Sequence, residues 1–552
     1  MSRLCALFVL VSALAASEPG DPRISASIPW MNGNGYVPVV ITVESPLERK
    51  ITFTCTHDEN SASTSIAMTA GERRRFTLLL PANGNGYAMG QLSWLTSDGR
   101  SDREHIPTVR TGAGQFLFLV GSETALPMEP WQEFSDSLGL STTGFSASKQ
   151  PPARFDPADL PDRWQGYPTQ ATIVLAGDAD RDLTSAQREA ILTWSTAGGL
   201  LVITDGNGAQ TWRQHGANVQ VVSTPSSDST FADTVRTRSG DAGAPGVGLD
   251  LPDTDRVPVT GFMVVALLFA LIVGPINLYW VRKRNARHLF LFTTPILSLA
   301  TCVILLITDI ALHGLSLRRG VQQLVILDQN TNQAVAWTFG TYFSAFSLSS
   351  LDLDPEVEAV RLTPEENNWR RYGRQNSAYR YSLEWGDRQA ATGTWGTARM
   401  NSTIRYRQVS PARQRLDITA AGEQLAVVNG LGTTMSELTV HAPDGRSWYL
   451  DTLGQGESGS MTAVDAQVFR EDLTSTRTPF GSAAIRCVNE LKTGWWYEAR
   501  AAAPILAIPG PTGTDAVPPT CLVVGRFAVA TPTTPTSSAN PATPTPVTGA
   551  SP

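Results

Sequence analysis

The sequence predicts a multidomain α/β plus all-β chain with a two-helix transmembrane hairpin, and three observations carry that expectation. Alternating apolar and polar residues, broken by Gly, Asn and Pro clusters, fill residues 18–110 and 316–530. Continuous apolar runs flank a periodic helical stretch inside residues 111–225. Two apolar runs at 259–281 and 289–312 are then separated by a basic turn. With 552 residues, 42% hydrophobic and 17% charged, the chain has material for several cores. A net charge of -7 without a long basic run argues against nucleic acid as a partner.

Residues 1–17 read as a signal peptide: Arg3, an apolar stretch, then Ala13, Ala15 and Ala16 at the cleavage site. Cys5 precedes the apolar stretch, which argues against a lipoprotein anchor. Residues 18–110 carry YVPVVITVES, KITFTCTH and RRRFTLLL, the pattern of a β-sandwich of immunoglobulin-like size. Cys55 alternates with Ile51 and Phe53 and is expected to face the core. NGNGY occurs at 32–36 and again at 83–87, with Gly where a turn requires positive φ. No helical pattern follows either copy, so a phosphate-binding loop is not indicated.

Residues 111–225 change period. QFLFLVG, ATIVLAG and GLLVITDG suit strands covered on both faces, and DADRDLTSAQREAILTWSTAGG lies between the last two. Thr184 and Gln187 form a capping box, Leu183, Gln187, Ala190, Ile191 and Trp194 share one face, and Gly198 and Gly199 end the helix. A strand-helix-strand unit of this kind belongs to a parallel sheet. Ligands of such sheets sit at the carboxyl ends of the strands, where Ser122, Glu123, Asp178, Asp180, Asp182 and Asp205 are the candidate binding residues. The same acids at 178–189 partly match a calcium loop, but Leu183 stands where the turn Gly is needed, and helix capping, the favoured reading, accounts for them.

The stretch LPDRWQGYPTQATIVLAGDADRDLTSAQREAILTWSTAGGLLVITDG, residues 160–206, resembles the class I glutamine amidotransferase-like domains of uncharacterised bacterial membrane proteins. The resemblance rests on an aromatic-rich turn before a strand, an L-T-x-x-Q helix, W-x-x-x-G-G and another strand. It implies a flavodoxin-like, class I amidotransferase-like α/β fold. It also implies a nucleophilic Cys in a strand-to-helix turn, with a His and a Glu beyond. This chain has no Cys between Cys55 and Cys302, no G-x-C-x-G or G-x-S-x-G elbow, and only His215 in the domain. Glutamine hydrolysis is therefore expected to be lost, and no catalytic residue is assigned.

Residues 226–258, rich in Ser, Asp, Gly and Pro, read as a linker, parts of which can order against the α/β domain. Each apolar run of the hairpin covers a hydrocarbon core of about 30 Å at about 1.5 Å per residue. Arg282, Lys283, Arg284 and Arg287, in the turn 282–288, place that turn in the cytoplasm and both flanking regions outside. Gly274, Pro275 and Pro295 are expected to kink the helices. Residues 316–530 hold short alternating segments without a long helical pattern, predicting one or two further sandwiches. Asp328, Asn330 and Asn332 read as a hairpin turn or a cation site, the turn being favoured. For Cys487 and Cys521, a disulfide and two separate buried thiols fit equally. No Cys/His spacing matches a metal site, and no cofactor is indicated. Residues 531–552, almost wholly Pro, Thr, Ser and Ala, are expected to be a disordered tail.

These readings make the chain a binding or assembly protein of a bacterial inner membrane, with both large regions periplasmic. Its expected partners are the membrane itself, integral membrane or envelope proteins, and envelope glycans. Two alternatives are an envelope hydrolase working from the strand ends of the α/β domain and an accessory subunit of a transporter.

Overall fold

The computed structural model describes residues 20–528 except 31–34, 58–59, 82–89, 107–116, 139–151, 178, 205, 215–218, 227–228, 240–250, 252–258, 284–289, 314–316, 363–380, 422–423, 465–479 and 493. The signal peptide, most of the first NGNG turn and all of the second, His215, most of the basic turn and the tail therefore lie outside the described residues. The rest is mainly β-sheet, with few helices.

Five short strands form a fully parallel sheet in the order Val219–Val221, Leu200–Ile203, Thr172–Leu175, Leu117–Val120, Ala153–Phe155. All residues of the three central strands are buried, because helices cover both faces of such a sheet. The helix Ser185–Thr196 starts at Thr184, whose hydroxyl accepts from the Gln187 N–H at 3.2 Å while the Gln187 side chain accepts from the Thr184 N–H at 3.0 Å. Its buried face carries Gln187, Ala190, Ile191 and Trp194. The helix Thr230–Ser239, within the expected linker, contributes Phe231, Ala232 and Val235 to the same core.

The strands of residues 18–110 form two sheets. One holds Arg23–Ser27, Tyr36–Ser45 and Glu72–Pro81. The other has seven strands, in the order Leu348–Leu353, Gln389–Gly396, Tyr381–Trp385, Asn60–Met68, Arg49–His57, Gly90–Thr96, Ser101–Ile106. Three of these come from beyond the hairpin. The junction is parallel, with Ser382, Leu383, Glu384 and Trp385 opposite Ser61, Ala62, Ser63 and Thr64. The two sheets enclose one core, which includes Val39, Ile41, Phe53, Cys55, Leu383 and Trp385. Tyr36 ties it to later strands, since its hydroxyl accepts the Ala359 N–H at 3.0 Å and the Gln389 amide.

A twelve-stranded sheet contains most of the remaining strands after the hairpin, running from Glu358–Leu362 at one edge through Arg318–Asp328 near its middle to Arg415–Ala421 at the other. Strands Arg318–Asp328 and Gln333–Phe343 close in a tight hairpin, where Asp328 accepts the Asn330 N–H at 3.1 Å and also pairs with Arg526, while Asn332 is left-handed at φ 54. That is the turn expected there. The helix Gly481–Leu491, which the sequence reading did not find, packs Ala484, Cys487, Val488 and Leu491 onto one face of this sheet.

Of the two readings open for Cys487 and Cys521, the structure has two separate buried thiols. Cys487 lies under the helix with Val524, whereas Cys521 belongs to the core on the opposite face with Val523, so the two are not disulfide-bonded. Side chains alternate along strand Thr520–Phe527, so residue 521 points away from the face that residue 524 shares with the helix.

The hairpin is helical from Val259–Leu271 through a π-turn at Ile272–Ile276 to Asn277–Lys283, and again over Phe290–His313. Gly274 and Pro275 fall in the π-turn, where a proline without an N–H is accommodated by an i→i+5 turn, and Pro295 lies inside the second helix. Among the described residues, Met263–Trp280 is long and apolar enough to cross a membrane, and the second helix carries a shorter apolar stretch, Leu291–Ile304. Met263, Leu267, Tyr279, Leu291, Ile296 and Leu299 are all more than 60% exposed.

Candidate functional site

The strand order of the parallel sheet reverses between Leu117–Val120 and Thr172–Leu175, the position where such folds hold ligands. Here the two strand ends meet each other. Gly121 takes φ 133, and a Cβ on it would stand 2.6 Å from the Ala176 Cβ, so Ala176 and Ala179 occupy the space beside it. The sequence-predicted residues surround this contact without converging. Ser122 is exposed, and its hydroxyl accepts the Ala125 N–H at 3.2 Å. Glu123, also exposed, accepts the Met128 N–H at 3.1 Å at the start of helix Met128–Ser137 and pairs with Arg154 at 3.0 Å. Arg154 further donates to the carbonyls of Gly121, at 3.0 Å, and Leu126.

Asp180 pairs with Arg188 at 3.2 Å, and Arg188 also donates to the Asp180 carbonyl at 2.8 Å. Asp182 is exposed in the short turn Ala179–Asp182 before the capped helix. Asp178 and Asp205 lie outside the described residues. Two arginines thus fold two of the acids back onto their own turns, and the local structure accounts for those side chains. Among the described residues, no group of three or more His, Cys, Asp and Glu is placed to hold a metal.

The aromatic turn 160–167 has a different role. Within these eight residues the chain touches all three of the other sheets. The Leu160 carbonyl accepts from Arg75 at 3.2 Å, and the Asp162 N–H donates to Thr77 at 3.2 Å. The Gly166 carbonyl accepts from the Trp30 indole at 2.8 Å. Arg163 lies over Trp385 at 4.7 Å, and the Gln165 amide donates to the Pro355 carbonyl at 2.8 Å. Trp164 covers Arg407 at 4.8 Å. Gly166 has Leu79 and Pro38 within 3.2 Å of where a Cβ would stand, so a side chain there would make its neighbours give by a few tenths of an ångström.

Arg407 is the charged centre of this joint. Its strand partner on one side is Glu358, which it meets at 2.7 Å with both side chains at most 2% exposed, and on the other side Trp337 lies 5.5 Å from the guanidinium. Burial lowers the Arg405 guanidinium below its usual range, with Glu358 opposing that shift and Arg407 adding to it. The sequence reading missed Arg154, Arg188, Arg407 and Glu358. The roles of Arg407 and Glu358 depend on contacts between residues as far apart as 164 and 407, which no local spacing encodes.

No family model matches the chain, and no curated protein matches it. Similar solved structures include the yeast delta-COP-I mu-homology domain, at 7% identity and TM-score 0.19, covering 38% of this chain and 95% of that one. Another is a Paenibacillus cycloisomaltooligosaccharide glucanotransferase, at 10% identity and TM-score 0.15, covering 28% and 27%. Likeness at this level carries no argument about fold or function.

Proposed function

We propose that this chain is a membrane-anchored binding or assembly protein, held by its apolar hairpin, with both large regions on the extracytoplasmic side of a bacterial inner membrane. The seven-stranded sheet carries the proposal. Strand Asn60–Met68 precedes the hairpin and strand Tyr381–Trp385 follows it, yet the two are hydrogen-bonded neighbours. A sheet cannot be continuous across a bilayer, so an insertion between these strands that enters a membrane must also return. Two helices joined by a basic turn meet that requirement, and the positive residues of that turn favour a body on the outside.

The α/β unit is read as a flavodoxin-like, amidotransferase-like domain without activity. Numbered within the domain, its strand order is 2-1-3-4-5, that of flavodoxin-like sheets, which supports the reading. The packed strand ends and locally engaged acids favour binding or assembly over hydrolysis. Integral membrane and envelope proteins, and envelope glycans, are the proposed partner classes. Purification of the full chain in mild detergent after crosslinking in intact cells tests this: reproducible capture of a membrane or envelope partner is expected. A chain that stays monomeric and uncrosslinked under those conditions counts against the assembly role.

A further inference from the structure

The body outside the hairpin exposes two large apolar side chains on one edge, Phe346 at 63% and Met400 at 48%. Scattered exposed apolar residues are ordinary on a protein surface. These two differ in where they are and in how they are held. The second hairpin helix ends at His313, and the large sheet begins at Arg318, five residues later and so within about 18 Å of it. Arg318 pairs with Phe343, and the chain then enters the turn that bears Phe346. In the next strand Ser402 pairs with Tyr342, and Met400 lies just before it. Strand register therefore sets both residues on the edge where the hairpin joins the body.

The two turns are ordered and bonded to each other. The Arg399 N–H donates to the Ser344 carbonyl at 2.8 Å, the Met400 N–H to the Thr397 carbonyl at 3.3 Å, and the Phe346 N–H to the Ser344 hydroxyl at 3.2 Å. Arg399 holds a left-handed conformation at φ 60, a strained state for a non-glycine residue, and Met400 follows it. Exposed Arg399, with Arg361 and Arg318 nearby, gives the edge a basic character beside its apolar tips. Apolar side chains flanked by arginines are the composition of segments that lie in a bilayer interface.

We infer that this edge is a second membrane contact: Phe346 and Met400 enter the boundary between headgroups and acyl chains of the outer leaflet, with the arginines facing anionic headgroups. The inference rests on the hairpin anchoring the chain in a bilayer. A contact on this edge in addition to the hairpin would fix the body's orientation relative to the bilayer.

The test uses the full chain in a Cys5→Ser/Cys302→Ser background, since Cys55, Cys487 and Cys521 are buried. Single cysteines at Phe346→Cys, Met400→Cys, Leu299→Cys and Leu95→Cys are labelled with a bimane in detergent. The protein is then reconstituted into phosphatidylethanolamine vesicles containing phosphatidylglycerol and doxyl lipids labelled near the headgroup or at mid-chain. Leu299 reports the hairpin. Leu95 is as exposed as Met400 but sits near the strand end away from the hairpin edge, as the registers from Gly396 to Leu95 show. The expected result is quenching at 346 and 400 by the shallow doxyl lipid, severalfold above position 95, with position 299 quenched at mid-chain. Quenching at 299 without excess quenching at 346 and 400 overturns the edge contact and leaves the anchor intact. No quenching at 299 overturns the anchor and the edge contact together.

Discussion

Arg407 holds its charge in a buried place because three groups surround it: the Glu358 carboxylate at 2.7 Å and the rings of Trp164 and Trp337. Removing one partner of such a pair strands the other charge, at a cost of about 3–5 kcal/mol, whereas replacing both with apolar residues is often neutral. Arg407→Met should therefore lower the unfolding midpoint in urea sharply, and Arg407→Met/Glu358→Leu should recover most of the loss. A double variant as unstable as the single one would show that the Trp164 contact, or the support Glu358 gives to buried Arg405, outweighs the Arg407–Glu358 pair. Cys55 makes a second prediction at this scale. Burial pushes its thiol from 9.0 up to about 12. Above pH 9 the unfolded chain ionises at this site while the folded chain keeps its proton, so stability complete below pH 9 is lost as the pH rises from 9 towards 12. The slope from one such group is about 1.4 kcal/mol per pH unit, and Cys55→Ala should flatten the alkaline stability curve by that amount.

At the scale of elements, the helix Ser185–Thr196 was legible because its signals are local: a capping box, a helical apolar face and a glycine stop all lie within sixteen residues, from 184 to 199. Gly199 shows how tightly the stop is built, since a Cβ there would stand 2.2 Å from the Trp194 ring, whose indole already donates to the Pro168 carbonyl at 3.0 Å. Gly199→Ala must displace that ring, and a cost of about 1–3 kcal/mol is expected, read as a lower melting temperature with altered tryptophan fluorescence. The helix Gly481–Leu491 carried a readable spacing in Ala484, Cys487, Val488 and Leu491, but it has no side-chain cap at Phe480, and strand-like segments on either side masked it. The strand Tyr381–Trp385 falls in the alternating region 316–530 where strands are expected, yet its partner is not readable there. Alternation identifies a strand's faces and leaves open which distant edge it joins. The candidate acids were legible for a similar reason, as strand ends, while Arg154 and Arg188, which engage two of them, signal nothing in isolation.

For the whole molecule, the decisive relation is between residues 321 positions apart, Ser61 and Ser382, whose hydroxyls are 2.8 Å from each other across the parallel junction. That distance makes the topology testable in cells. In a Cys55→Ala background, Ser61→Cys/Ser382→Cys places two thiols opposite each other in neighbouring strands, a separation that a disulfide can close. If both halves are exported and folded together, the oxidising extracytoplasmic space should join them without added oxidant. The bond should then appear as a faster band on non-reducing gels that disappears on reduction. Each single cysteine variant should give no such band. A double variant that stays reduced in cells but forms the bond when oxidised after lysis would place the folded body in the cytoplasm and reverse the hairpin. One that never forms it would separate the two halves and remove the ground for reading the hairpin as an excursion into the bilayer and back.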